Sequence, residues 1–186
     1  MTDADGLAVG ERAPDVSGSL VRPDGPVEET ALTALLADGP VLLAFYTNDF
    51  SPDCTREWCA FRDYEWFAVD GAVQVVGVSR SRVGTHRKFI DHLGLSFPLF
   101  ADTDLAMARA FDVDYRTFGV FARSRRSTFL VGTDRTVRHV WLGDHALDPT
   151  LDRPDMAELR AAIEREFGDS PTDDDHAAFR AAWETD

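Results

Sequence analysis

The chain has 186 residues, 44% hydrophobic and 28% charged, which suits one domain with a proper core. It carries 33 acidic against 19 basic residues, a formal charge of -14, and no basic block offers a phosphate track, which argues against general nucleic-acid binding. No apolar run approaches the roughly 20 residues that cross a bilayer, and the acidic start Met1-Thr2-Asp3-Ala4-Asp5 lacks the basic flank and apolar stretch of a secretory signal, so a soluble cytoplasmic protein is expected.

Residues 1–8 read as a flexible N-terminus. Ser17-Gly18 and Pro23-Asp24-Gly25-Pro26 are turn signals, and residues 16–29 predict an irregular hairpin. Thr30 is placed to cap a short helix over 31–36, stopped by Asp38-Gly39-Pro40. Val41 to Tyr46 is short and continuously apolar, the pattern of a buried central strand. A polar turn follows, and Ser51-Pro52-Asp53 opens a helix running to about Val69. Val73 to Val78 predicts a second buried strand, and Ser81 to Leu93 a helix closed by Gly94. Residues 97–100 read as a short strand and 102–111 as a short helix. Strands over 127–131 and 136–142 flank the turn Gly132-Thr133-Asp134-Arg135 and form a hairpin. Pro154 to Phe167 is an amphipathic helix, broken by Gly168-Asp169-Ser170-Pro171. A last helix through Ala177, Phe179, Ala181 and Trp183, or a mobile tail, completes the chain. This order implies an α/β fold, a central mixed sheet with helices on both faces. The organisation is then a flexible 1–8, a domain over 9–168 and an acidic extension over 169–186.

The charge pattern has its own message. Lys88 is the one lysine, and Asp outnumbers Glu. Adaptation to high intracellular salt accounts for this, because screening over a few ångströms removes self-repulsion. An ordinary acidic protein is the alternative. On the halophilic reading the melting temperature falls as KCl goes from molar to millimolar; an unchanged value counts against it.

The chain holds two cysteines, Cys54 and Cys59. Cys54 lies in the first turn after Ser51-Pro52-Asp53, at the C-terminal end of a central strand, where sheet proteins of this kind place functional groups. A helix N-terminus carries partial positive charge and unpaired N–H groups, so it favours a thiolate over a thiol. Five helical positions turn through about 500° and rise roughly 7.5 Å, whereas a disulfide needs its Cα atoms within about 7 Å. The two cysteines therefore bond only if the first turns unravel. Two inert buried thiols are the plain alternative. Zinc has too few ligands here, since His86, His92, His139, His145 and His176 show no metal spacing and read as surface or strand residues. Trp58, Trp66 and Trp141 read as core. No cofactor is implied. A dithiol exchange site of the C-x-x-C kind is disfavoured by the longer spacing.

The stretch Thr47-Asn48-Asp49-Phe50-Ser51-Pro52-Asp53-Cys54, with Cys59 five residues on, resembles the Q-type peroxiredoxins, also called bacterioferritin-comigratory proteins. The likeness continues through Arg62-Asp63, Val76-Gly77-Val78-Ser79, Phe97-Pro98-Leu99 with Ala101-Asp102, and Arg126-Ser127-Thr128-Phe129-Leu130-Val131, covering about residues 9–168. One departure is visible: Thr47 stands where that family's loop usually has proline, which is expected to loosen the shield over the cysteine.

The resemblance implies a thioredoxin-like fold and reduction of hydroperoxides. It makes Cys54 the peroxidatic nucleophile, Cys59 its resolving partner, and Arg126 the donor to thiolate and peroxide. It gives Ser51 a hydroxyl contact with the peroxide and the backbone N–H groups of Asp53 and Cys54 a place in the cradle. Glu57 would hold the arginine. A thioredoxin-like dithiol would reduce the disulfide, and the protein would be a monomer. Lowering a thiol pKa from about 8.5 to about 6 raises thiolate at neutral pH only ~30-fold, about 2 kcal/mol, while enzymatic accelerations reach about 10⁶ or more. Alignment and charge stabilisation must supply the rest. A slow-cycling redox sensor, supported by Thr47, and a protein thiol–disulfide oxidoreductase are the competing readings.

Overall fold

A computed structural model describes residues 6–63, 73–117, 121–143 and 152–167. Its elements in chain order are β1 (Ser17–Val21), β2 (Val27–Ala31), α1 (Leu32–Leu36), β3 (Val41–Phe45), α2 (Pro52–Asp63), β4 (Gln74–Ser79), α3 (Val83–Leu93), β5 (Leu99–Ala101), α4 (Ala106–Ala110), β6 (Asp114–Thr117), β7 (Phe121–Ser124), β8 (Ser127–Val131), β9 (Val137–Leu142) and α5 (Met156–Phe167). The end of the long helix beyond residue 63, Trp66, His145, His176, residues 1–5 and the tail helix lie outside the described residues.

Seven strands form one sheet in the order β2-β1-β5-β4-β3-β8-β9. β3, β4 and β5 run parallel, while β8 and β1 close on them antiparallel. Alternation along β3 divides the core. Val41, Leu43 and Phe45 face a cluster with α1 and α4. Leu42, Ala44 and Tyr46 face the other cluster, with Cys54, Trp58 and Phe61 of α2, Phe89 and Ile90 of α3, and Leu159 and Ile163 of α5. Period-two alternation with both faces apolar is what a strand covered by helices on each side requires.

Several local expectations change. The 16–29 region is a regular hairpin, with Ser17 opposite Ala31 and Val21 opposite Val27. Residues 6–8 are held, not loose: the Gly6 N–H donates to the Asp112 carbonyl at 3.1 Å, and Leu7 packs on the core. Thr30 does not cap α1, because its hydroxyl turns back to the Glu28 carbonyl at 3.3 Å. Asp15 does that work from a distance, accepting from the Thr33 N–H and hydroxyl, each at 3.1 Å. The helix expected from residue 102 begins at Ala106, because the Asp102 carboxylate accepts the Met107 and Ala108 N–H groups, both at 3.0 Å. β6 and β7 form a separate two-stranded ribbon that the sequence reading missed.

Gly77 sets the spacing under α2. A Cβ there would stand 2.5 Å from Leu99 Cδ2 and 2.6 Å from Trp58 Cη2. Glycine lets the Trp58 ring lie directly on the sheet, where Tyr46, Phe61 and Phe97 surround it at centroid distances of 4.9, 5.2 and 5.3 Å.

Candidate active site

β3 ends at Phe45, and the Tyr46 N–H donates to the Val78 carbonyl at 3.0 Å, so the sheet fixes the chain up to the turn. α2 begins at Pro52, with the Thr55 N–H donating to the Ser51 carbonyl at 2.9 Å. The Ser51 hydroxyl accepts from the Cys54 N–H at 3.3 Å, the bond of an N-cap residue to the third helical position. That N–H was expected to face a substrate; here the cap occupies it. Asp53 lies in the first turn of α2.

Arg126 arrives from the far side of the sequence. In the β3–β8 register Phe45 pairs with Ser127, so the residue before Ser127 falls beside the end of β3. The Gly143 N–H donates to the Arg126 carbonyl at 2.8 Å and anchors its backbone. Arg126 Nη2 donates to Cys54 Sγ at 3.1 Å, and Nη1 donates to Glu57 Oε2 in a short charge-assisted bond. Glu57 is one turn beyond Cys54, on the same helix face. The guanidinium thus spans carboxylate and sulfur, using the planar fork that lysine lacks.

All three groups are out of water: Cys54 is 0% exposed, Arg126 1% and Glu57 2%. Burial pushes the Glu57 carboxyl from its ordinary 4.5 up to about 7, against the pull of Arg126 and then Arg153. Thr47 is also buried, at 6% exposure, with its Oγ1 3.5 Å from Cys54 Sγ. The threonine lies against a sulfur that is itself fully buried. Cys59 is half-buried, and both thiols are free on one continuous helix.

Beneath the turn lies a polar network that sequence reasoning missed. The Tyr46 hydroxyl donates to Asp49 Oδ1 at 2.7 Å, and Asp49 Oδ2 sits 2.9 Å from His86 Nδ1. His86 Nε2 lies 3.1 Å from the Phe100 carbonyl, and the Asp49 N–H donates to Ser81 Oγ at 2.9 Å. Burial, then Asp49, pushes the Tyr46 phenol well above its ordinary range. His86, read as a surface or strand residue, is a fully buried helical one. The signal was available: His86, Phe89, Ile90 and Leu93 share one helical face. His92 is exposed on α3, and His139 and Trp141 are half-buried on β9. Among the described residues no group of three or more His, Cys, Asp or Glu is placed to hold a metal. No helix among them is long and apolar enough to cross a membrane.

A thiol anchored at a helix start and bridged by a buried arginine is the equipment of a peroxide-reducing cysteine enzyme, and known proteins agree. Residues 9–140 match the AhpC/TSA family, to which the chain belongs. It is 34% identical over 139 residues to a putative peroxiredoxin of Mycobacterium tuberculosis, covering 75% of this chain and 90% of that one. It is 32% identical over 160 residues to peroxiredoxin Bcp of Bacillus subtilis, covering 82% and 98%. Among solved structures, peroxidoxin BcpB of M. tuberculosis superposes with a TM-score of 0.69 at 28% identity, covering 85% of this chain and 97% of that one. The bacterioferritin comigratory protein of Xanthomonas campestris, captured in trapped intermediate and ligand complexes that bear on alkyl peroxide reduction, gives a TM-score of 0.65 at 28% identity, covering 81% and 90%. The fold is thioredoxin-like, and the protein is a thiol peroxidase of the Bcp/peroxiredoxin Q kind.

Proposed function

We propose that Cys54 is the peroxidatic thiolate of a hydroperoxide reductase and Cys59 its resolving thiol. The observation that carries this is the Arg126 guanidinium, which joins Glu57 to the Cys54 sulfur at 3.1 Å in a site closed to water. The sulfur attacks one peroxide oxygen. The S–O bond forms, the O–O bond breaks, and the leaving oxygen takes a proton to depart as water or alcohol. Arg126 carries donors for both the sulfur and the breaking bond, and its charge counts for more in a dry site. Glu57 holds the guanidinium in plane. The Ser51 hydroxyl, whose oxygen accepts from the Cys54 N–H, keeps its own hydrogen for the peroxide, and the Asp53 N–H adds a donor at the helix start. Thr47 closes the pocket from the strand side.

Cys59 then condenses with the sulfenic acid, releasing water and leaving a Cys54–Cys59 disulfide. The length of helix between them requires α2 to unwind. A thioredoxin-like dithiol reduces the bridge by two exchanges and is itself oxidised. The setting that fits is the cytoplasm, with the protein acting as a monomer and without a cofactor. The test is intact mass after one equivalent of hydrogen peroxide. Loss of two hydrogens supports the bridge; addition of one oxygen without closure removes Cys59 from its role. Cys54→Ser must abolish dithiol-dependent peroxide consumption, and full retention overturns the assignment.

A further inference from the structure

We infer that Thr47 is a further catalytic residue, whose hydroxyl donates a hydrogen bond to the Cys54 sulfur as a second donor beside Arg126. The inference rests on Cys54 being the reacting thiolate. A thiolate has no hydrogen to give, so at 3.5 Å between Oγ1 and Sγ the hydroxyl is the donor and the sulfur the acceptor. Thr47 is 6% exposed, so bulk water does not compete for that hydrogen. Arg126 Nη2 reaches the same sulfur at 3.1 Å from β8, while Thr47 reaches it from the end of β3. The Ser51 hydroxyl accepts from the Cys54 N–H and keeps its hydrogen, while Thr47 Oγ1 is the hydroxyl oxygen that lies within reach of the sulfur itself. Threonine is stiff at χ1, and the Tyr46 N–H is bonded into the sheet one residue earlier, so the hydroxyl oxygen is held in place while its hydrogen can turn to the sulfur. Proline, the residue that resembling sequences carry here, has no such donor.

The consequence has two opposed parts. A hydroxyl donating to an anion at this distance moves the proton equilibrium by about one pH unit, which changes the thiolate fraction up to about tenfold on the acid side. The same bond draws electron density from the sulfur. With nucleophilicity falling along a slope of about 0.4–0.5 per unit, it costs about threefold in intrinsic reactivity. Thr47 thus trades reactivity at alkaline pH for thiolate at neutral and acid pH.

The experiment uses the full chain with Cys59→Ser, so that one thiol titrates. Thiolate ultraviolet absorbance and the single-turnover rate with hydrogen peroxide are both followed against pH. Thr47→Val moves the absorbance midpoint up by about one unit. Its rate falls about threefold below the midpoint and rises about threefold above it, so the two profiles cross. Thr47→Ser returns both toward the parent, and Thr47→Pro follows Thr47→Val, which guards against failure of the valine variant to fold. An unmoved midpoint in the valine and proline variants overturns the inference, as does a rate lowered equally at every pH. A parent protein that consumes no peroxide defeats the proposed function instead, while the absorbance titration still decides the Thr47 contact.

Discussion

Gly77→Ala is the most informative small change in the molecule, because one methyl group tests the link between sheet and active site. The new Cβ would stand 2.5 Å from Leu99 Cδ2, 2.6 Å from Trp58 Cη2 and 2.7 Å from Trp58 Cζ2. Carbon contacts settle at about 3.5–4.0 Å, so roughly 1 Å of displacement is needed. Leu99 and Trp58 are both fully buried, and Tyr46, Phe61 and Phe97 wall in the indole. No open side takes up the shift, and overpacking of this kind costs about 1–3 kcal/mol. At the middle of that range the melting temperature drops by about 4–8 °C for a chain of this size. Trp58 rides on α2 four residues beyond Cys54, so pushing the ring outward also draws the sulfur from its 3.1 Å contact with Arg126. A misplacement near 1 Å can cost about 10²-fold in rate. Thermal melting and initial peroxidase rates are the assays. Trp58→Phe, which shortens the ring over residue 77, restores part of both losses when combined with Gly77→Ala, with a coupling of about 0.5 kcal/mol or more. Unchanged melting and rate, or losses that Trp58→Phe leaves untouched, refute the idea that this contact sets the height of the helix.

Three further perturbations follow from the buried charges. Arg126→Lys offers one ammonium where a fork now spans two partners, so the peroxide rate falls by about 10²-fold or more while the fold survives; stopped-flow kinetics and circular dichroism check this. Glu57 gives a pH signature. Its native carboxyl titrates near 7 against an ordinary 4.5, so between those values the folded protein holds a proton that the unfolded chain releases. The associated stability is fully present below the ordinary value and is lost as pH rises through about 7, amounting to about 3 kcal/mol. Glu57→Gln flattens that slope in denaturant melts across the window; a slope that persists assigns it to another group. Asp49→Ala leaves the buried Tyr46 hydroxyl without its acceptor and removes the carboxylate beside the His86 ring, which lowers stability by about 1–3 kcal/mol and speeds amide exchange in the turn before α2.

The central strands were legible because short apolar runs between turn signals have one economical use, and Val41–Phe45 and the Val75–Val78 stretch of β4 fill it. The helix start at Ser51-Pro52 was legible for its capping chemistry, and Gly94 for its left-handed closure at φ 62°. The β6–β7 ribbon was not. Asp114–Thr117 and Phe121–Ser124 are short and partly polar, and they pair with each other outside the main sheet. Arg126 could be named only by resemblance, since nothing in its neighbourhood says that a strand register 72 residues from Cys54 brings it to the sulfur. The Tyr46–Asp49–His86 network was hidden for the same reason, its ends lying 40 residues apart. Thr47 was seen as a loss of proline, because a sequence shows what a residue replaces and not what it then touches.

The reduced arrangement and the proposed resolving step pull against each other, and Trp58 is where they meet. Cys54 gains its setting from a wound helix: the Ser51 cap, the Arg126 contact and the Glu57 carboxylate all depend on helical spacing. Joining Cys54 to Cys59 requires that spacing to be undone, and Trp58 lies between them with its ring fully buried over Gly77. Unwinding must therefore disturb the largest apolar side chain of the helix, a cost on the order of 2–3 kcal/mol if the ring leaves its pocket. In the proposed cycle oxidation supplies the compensation, since a sulfenic acid is no longer an anion for the Arg126 guanidinium to hold. The contacts that favour attack are weakened by the product of attack, and the same helix can then serve the next step.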